Sequence, residues 1–170
     1  DRGWLSRMRP FAGGIRRADP QDYPALARLW HDAWHDGHAH AVPPALLAHR
    51  GPDYFAKEMQ RIGPDCHIWD GLHGPEGFIM IAGAWIDRIF VSQAARGGGV
   101  AGRLMAHAED LLRAGGHSEG WIDALVGNSR AHRFYLRQGW QQDRIEEIEA
   151  PTPDGPVLLR TRILHKDLSI

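Results

Sequence analysis

The chain has 170 residues, 43% hydrophobic and 24% charged, with a formal net charge of -1. That length and mix suit one domain with a sizeable core, and the near-neutral balance supplies no overall basic field for nucleic acid. The single cysteine, Cys66, excludes an internal disulfide and a Cys-based zinc site; no apolar run approaches the ~20 residues of a membrane span and no signal peptide is visible, so a cytoplasmic protein with no membrane partner is expected.

The chain opens on Asp1, and Met8 stands as a candidate natural start. Residues 1–14 are therefore read as an N-terminal extension, part of it non-native, ahead of one domain over 15–170. Ile15–Arg17 reads as a short strand. Asp19 and Pro20 then mark a helix start, as N-cap and first helical residue. Tyr23, Leu26, Ala27, Trp30, Ala33 and Trp34 recur at helical spacing, which predicts a helix from about Pro20 to Gly37. His31, His35 and His38 fall at i, i+4 and i+7 on it and share a face. No carboxylate or cysteine completes a metal-ligand signature around them, so no metal is expected; a half-exposed face and the wall of a pocket both remain open.

Val42-Pro43-Pro44 breaks the chain before a short helix over Pro44–His49 and a longer one over Pro52–Ile62. Three strands follow at Cys66–Trp69, Gly77–Ile81 and Trp85–Val91, joined by a polar turn at Asp70–Glu76 and a tight one at Ala82–Ala84. Short turns between consecutive strands predict an antiparallel meander. A glycine run, Arg96–Gly102, leads into a helix ending near Ala114, with Gly115-Gly116 as its C-cap. Trp121–Val126 is the next strand, and the intervening helix makes it parallel to Trp85–Val91. Asn128 caps a helix over Arg130–Gln138. Trp140–Glu149 and Val157–His165 are two long strands around a Pro- and Gly-rich turn.

The order strand, short loop, glycine run, helix reads as a pyrophosphate cradle, with a glycine-rich turn that holds no ligand as the alternative. First-turn N–H groups of a helix have no intrahelical partner, the helix dipole adds positive charge there, and residues without side chains allow close approach. Arg96 can add forked donors. Gly97, Gly99 and Gly102 match the dinucleotide fingerprint G-x-G-x-x-G, but Ser92–Ala95 separate the strand from the run, and Asp123 lies inside the next strand where an acidic residue should end it. The nucleoside-triphosphate P-loop needs Gly-Lys-Ser/Thr, which is missing.

The frame Arg96-x-x-Gly99-x-Ala101 resembles the acyl-CoA pyrophosphate loop of the GNAT superfamily of N-acetyltransferases. Asn128, Ala131, Phe134-Tyr135 and Gly139-Trp140 resemble the family's second hallmark, with Trp140 where Phe is usual. The resemblance covers the strand and helix order from about Ile15 onward. It implies an α/β (α+β) fold: a mixed, mostly antiparallel central sheet of about six to seven strands with a splayed parallel pair, flanked by about four helices. It implies acetyl-CoA as cosubstrate and a primary amine of a small molecule or peptide as acceptor. The cofactor arm would pair with Phe90 and Val91, the pyrophosphate would lie on Arg96, Gly97, Gly98, Gly99, Val100, Ala101 and Gly102, and Asn128 would contact the arm. Tyr135 would be the general acid at the sulfur. Asp87, sharing a face with Ile89 and Val91 by alternation, is the candidate base, with His35 the second candidate. Trp30, Trp34 and His35 are expected on the acceptor side. A non-catalytic acyl-CoA-binding module is the alternative reading, and the protein would be a monomer or homodimer.

Overall fold

The computed structural model describes residues 13–169. The N-terminal extension read from the sequence lies outside them, save Gly13 and Gly14. Seven strands form one sheet: β1 Gly14–Arg17, β2 His67–Gly71, β3 Gly74–Ala82, β4 Trp85–Val91, β5 Glu119–Leu125, β6 Gln141–Ala150 and β7 Val157–Asp167. Their order is β1-β2-β3-β4-β5-β7-β6. Every neighbouring pair is antiparallel except β4 and β5. The helices are α1 Tyr23–His38, α2 Pro44–Leu47, α3 Pro52–Ile62, α4 Val100–Ala114 and α5 Ser129–Arg137. Because α2 is a single turn, four longer helices flank the sheet.

Alternation along the strands sorts two cores. Phe78 on β3 joins Leu26, Trp30, Phe55 and Met59 from α1 and α3 on one face. Its neighbour Ile79 joins Leu104, Met105, Ala108 and Leu112 of α4, with Ile122, Ala124, Tyr135 and Trp140, on the other. Fully burying a large apolar side chain contributes roughly 1.5–3 kcal/mol, so these two layers hold the helices against the sheet. Trp140, the residue that departs from the usual Phe, is 2% exposed. Gly120 makes its room: a Cβ there would lie 3.0 Å from the far edge of the indole. Lys166 on β7 fixes the same region, bonding the buried Glu109 of α4 and, at 2.7 Å, the Gln138 carbonyl at the end of α5.

Three local expectations are corrected. Asp19 caps a 3-10 turn, Pro20–Asp22, that precedes α1. The useful carboxylate is Asp22, which accepts from the Asp19 N–H at 2.7 Å and from Arg16 at 2.8 and 2.9 Å. The turn expected at Asp70–Glu76 is much shorter, because Asp70 and Gly71 pair with Pro75 and Gly74. Ladder bonds use the backbone and ignore side-chain polarity, and Gly74 at φ +116° makes the reversal. Alternation also fails on β4: Met80 pairs with Arg88 and Ile81 with Ile86, so Asp87 is the extra residue of a β-bulge. Ile86, not Asp87, shares the α4 face with Ile89 and Val91.

The parallel pair is barely a pair. Trp85 and Trp121 form its one registered contact, backed by the Trp121 N–H on the Ala84 carbonyl at 3.0 Å. Beyond that point β4 and β5 part, and residues of both line an open cleft. Gly77 sets the position of the outer end of β4. A Cβ on Gly77 would sit 2.9 Å from the Phe90 carbonyl and 2.8 Å from Leu104 Cδ1. Gly77→Ala is therefore expected to cost about 1–3 kcal/mol, read as a lowered Tm by calorimetry; an unchanged Tm would mean that β4 is free to shift.

Candidate functional site

The cleft encloses about 760 Å³ and passes between the splayed strands from α4 and α5 to α1 and α3. At one end lies the glycine run. Gly97 and Gly99 hold φ of +82° and +83°, a left-handed conformation that glycine adopts at no steric cost. Nothing stands within 4 Å of a Cβ built on either. The first α4 bond runs from the Arg103 N–H to the Gly99 carbonyl at 3.1 Å, and among the described residues the N–H groups of Gly97, Gly99, Val100, Ala101 and Gly102 find no backbone carbonyl. Unpartnered donors at a helix N-terminus behind an open, side-chain-free surface fit a pyrophosphate. Gly98 stands apart from this group, since its N–H is taken by the Ala95 carbonyl at 3.3 Å and it is not on the cleft wall.

Phe90 and Val91 both line the cleft. The Phe90 carbonyl points at Gly77 of β3, so by alternation it is Val91 that turns its backbone toward β5, where among the described residues no ladder pair meets it. Asn128 caps α5 through Oδ1, which accepts from the Ala131 N–H at 3.4 Å, and it too lines the cleft. Tyr135 is 6% exposed, and burial, aided by the negative charge of Asp123, pushes its phenol pKa up. The hydroxyl therefore keeps its proton at neutral pH.

The carboxylates sort differently from the sequence expectation. Asp87 lines the cleft, but its Oδ2 accepts from Arg88 at 3.1 Å. Asp123 reaches the cleft from the middle of β5, on the strand face opposite Ile122 and Ala124. It is open to water through the cleft, yet protein surrounds it closely enough that burial raises its pKa. Asp87 raises it further and Arg88 opposes. Among the described residues Asp123 has no ion-pair partner. A lone charge inside an apolar strand was the sequence signal for it.

At the other end, Trp30 and Trp34 of α1 line the wall together with Arg50, Tyr54 and Arg88. The Arg88 guanidinium lies 5.6 Å from the centre of the Trp30 ring. Arg50 is 6% exposed, covers Tyr54 at 4.1 Å and donates to the Pro151 carbonyl at 3.1 Å, so the β6–β7 turn closes this end. His35 does not reach the cleft, because its Nε2 meets the Arg50 carbonyl at 2.6 Å. His38 does, stacked on Trp34, and burial pushes its pKa down to about 4, so it stays neutral. Among the described residues no cluster of His, Cys, Asp or Glu is placed to hold a metal ion, and no helix is long and apolar enough to cross a membrane.

A parallel pair that opens over a glycine-rich helix N-terminus, with a buried tyrosine behind it, defines an acyl-CoA-dependent transferase. The profile of the acetyltransferase (GNAT) family matches residues 25–140, and the chain belongs to that family. No curated protein sequence matches it. Among solved structures, it is similar to a GCN5-related N-acetyltransferase from Rhodopseudomonas palustris, with 19% identity, TM-score 0.72 and coverage of 91% of this chain and 95% of that one. It is also similar to the ribosomal-protein-S18-alanine N-acetyltransferase of Escherichia coli, with 20% identity, TM-score 0.63 and coverage of 92% and 94%. A third is the PaiA N-acetyltransferase of Thermoplasma acidophilum in complex with coenzyme A, with 17% identity, TM-score 0.66 and coverage of 91% and 98%.

Two glycines separate conformation from space. Gly99→Val puts a β-branched residue at φ +83° and is expected to lower the Tm. Gly102→Ala, whose added Cβ finds nothing nearer than Gln138 at 3.9 Å, is expected to leave the Tm unchanged or raised. Equal losses in both, measured by thermal melts, would contradict the loop conformation.

Proposed function

We propose that this chain moves an acetyl group from acetyl-CoA to a primary amine of a small molecule or peptide, by direct attack within a ternary complex. The observation that carries this reading is that one cleft joins a phosphate cradle, an unpaired strand edge, a protonated phenol and a carboxylate without a cation partner. Bound in the gap, the cofactor supplies an activated acyl carbon and a thiol leaving group. The N–H groups of Gly97, Gly99, Val100, Ala101 and Gly102 and the Arg96 guanidinium would hold its phosphates; the backbone of Val91, with Phe90 beside it on the cleft wall, and the Asn128 amide would orient its arm. Gly98 contributes by keeping the loop compact.

Asp123 is the better base. An amine arrives as an ammonium and must lose a proton before it attacks. Burial without a bonded cation raises the proton affinity of Asp123, which suits this task, whereas Asp87 is occupied by Arg88. Tyr135 holds a proton for the departing sulfur. Its raised pKa keeps that proton until negative charge develops beside it. Trp30 and Trp34 give the acceptor an aromatic wall, where a ring or a cationic group can stack.

Acetyl-CoA is expected to raise the Tm, since a ligand that binds only the folded state stabilises it; no shift at millimolar concentration defeats the reading. With amine panels and detection of released thiol, Asp123→Asn is expected to lower kcat/KM by about 100- to 10,000-fold, and Asp87→Asn by much less. The pH dependence follows from the sign of the shift. The active form is the carboxylate and its pKa is raised, so kcat/KM falls as pH drops through a value above the ordinary carboxylate range, and Asp123→Asn erases that limb. Tyr135→Phe is expected to reduce kcat while acetyl-CoA affinity stays, checked by calorimetry.

A further inference from the structure

Helix α1 touches both ends of the cleft. Trp30 and Trp34 face the acceptor end. Two residues further on, Asp36 lies at the phosphate end, where one of its oxygens, Oδ2, meets Arg96 Nη1 at 2.5 Å and Arg130 Nη2 at 3.0 Å. Arg96 follows β4 and Arg130 stands in the first turn of α5, after β5. A single carboxylate oxygen therefore joins the chain segments that leave the two splayed strands. The arrangement is held firmly. His40 Nε2 meets the Gly127 carbonyl at 2.9 Å, a Cβ on Gly37 would lie 3.0 Å from Asn128 Nδ2, and one on Gly127 would lie 2.7 Å from Ala41 Cβ. The end of α1 is thus seated on the β5–α5 turn, and Asp36 is presented from a fixed helix.

Both arginines line the cleft, and both are the natural partners of a phosphate. In this structure each already has an anion. The two arginines act as strong donors to Asp36, and Arg96 foremost holds its carboxyl below the usual carboxylate range. A phosphate arriving at the loop competes with Asp36 for the same guanidinium groups and is repelled by its charge.

We propose that Asp36 is a displaceable counter-ion: it parks Arg96 and Arg130 across the mouth of the empty cleft, yields them to the cofactor's phosphates, and takes them back when the spent cofactor leaves. It is a positioning residue that touches no reacting atom. It holds cofactor affinity below what the arginines alone would give and eases product departure. The inference rests on the coenzyme A reading of the Arg96–Gly102 loop.

Calorimetric titration of acetyl-CoA into the wild type, Asp36→Asn, Asp36→Ser and Asp36→Glu tests it. The Asn and Ser variants are expected to bind about three- to tenfold tighter, the scale on which two part-exposed ion pairs act, and Asp36→Glu to bind like the wild type. S-acetylpantetheine, which carries no phosphate, is expected to bind all four alike. Equal or weaker acetyl-CoA binding by both the Asn and Ser variants overturns the counter-ion role, as does an equal gain for S-acetylpantetheine. Failure of the wild type itself to bind acetyl-CoA is a different result: it removes the reading of the loop, and the counter-ion with it.

Discussion

Everything at the site depends on a sheet interaction that stops. Antiparallel ladders run through the rest of the sheet, and between β4 and β5 the hydrogen bonding ends after Trp85 and Trp121. Inside a protein an unpaired strand edge is costly unless something satisfies it. Here the edge faces an open cleft, so the backbone groups left by the missing ladder stay accessible. The two tryptophans at the vertex have ring centres 6.0 Å apart and mark where the strands begin to diverge. α4 and α5 then complete the far side of the opening, one supplying its N-terminal donors and the other its tyrosine.

The charges in the cleft are divided by depth. Near the mouth, Asp36 pairs with both Arg96 and Arg130 in partial contact with solvent, and the three together keep one net positive charge. Toward the vertex, Tyr135 is buried and Asp123 opens only onto the cleft, and both shift toward holding their protons. Those two shifts have the same main cause, desolvation, and the charge of Asp123 adds to that of Tyr135. Asp87 and Arg88, already paired, contribute shape and local neutrality to the acceptor side.

The parts of this design that rest on chain-local rules were legible in the sequence. The positive-φ glycines, the Asn128 cap, the periodicity of α1, α3 and α4, and the family frame around Tyr135 all involve residues within a few positions of each other. Where the reading failed, the cause was distant pairing. Asp36 looks like any polar residue on a solvated helix face, because nothing near it announces Arg96 or Arg130. His35 was assigned to the acceptor wall from its neighbours on α1, but the Arg50 carbonyl, brought from the α2–α3 connection, claims it. Asp123 enters the sequence reading only as a residue misplaced for the dinucleotide fingerprint, and only the splay shows that it faces the cleft.

The bulge at Asp87 carries one more consequence. A strand with a single extra residue is two alternating patterns joined out of phase. From Arg88 to Val91 one parity faces the acceptor side, and from Trp85 to Ile86 the other parity does. The chemistry of the cleft wall therefore depends on the number of residues in β4 as much as on their identity. Deleting one residue at the bulge would leave nearly the same composition, yet on one side of the deletion it would turn core residues toward the cleft and cleft residues toward the core. Residue correspondences with other members of the family therefore hold on each half of this strand separately, and a shift of one position would exchange an arginine for an isoleucine on the cleft wall.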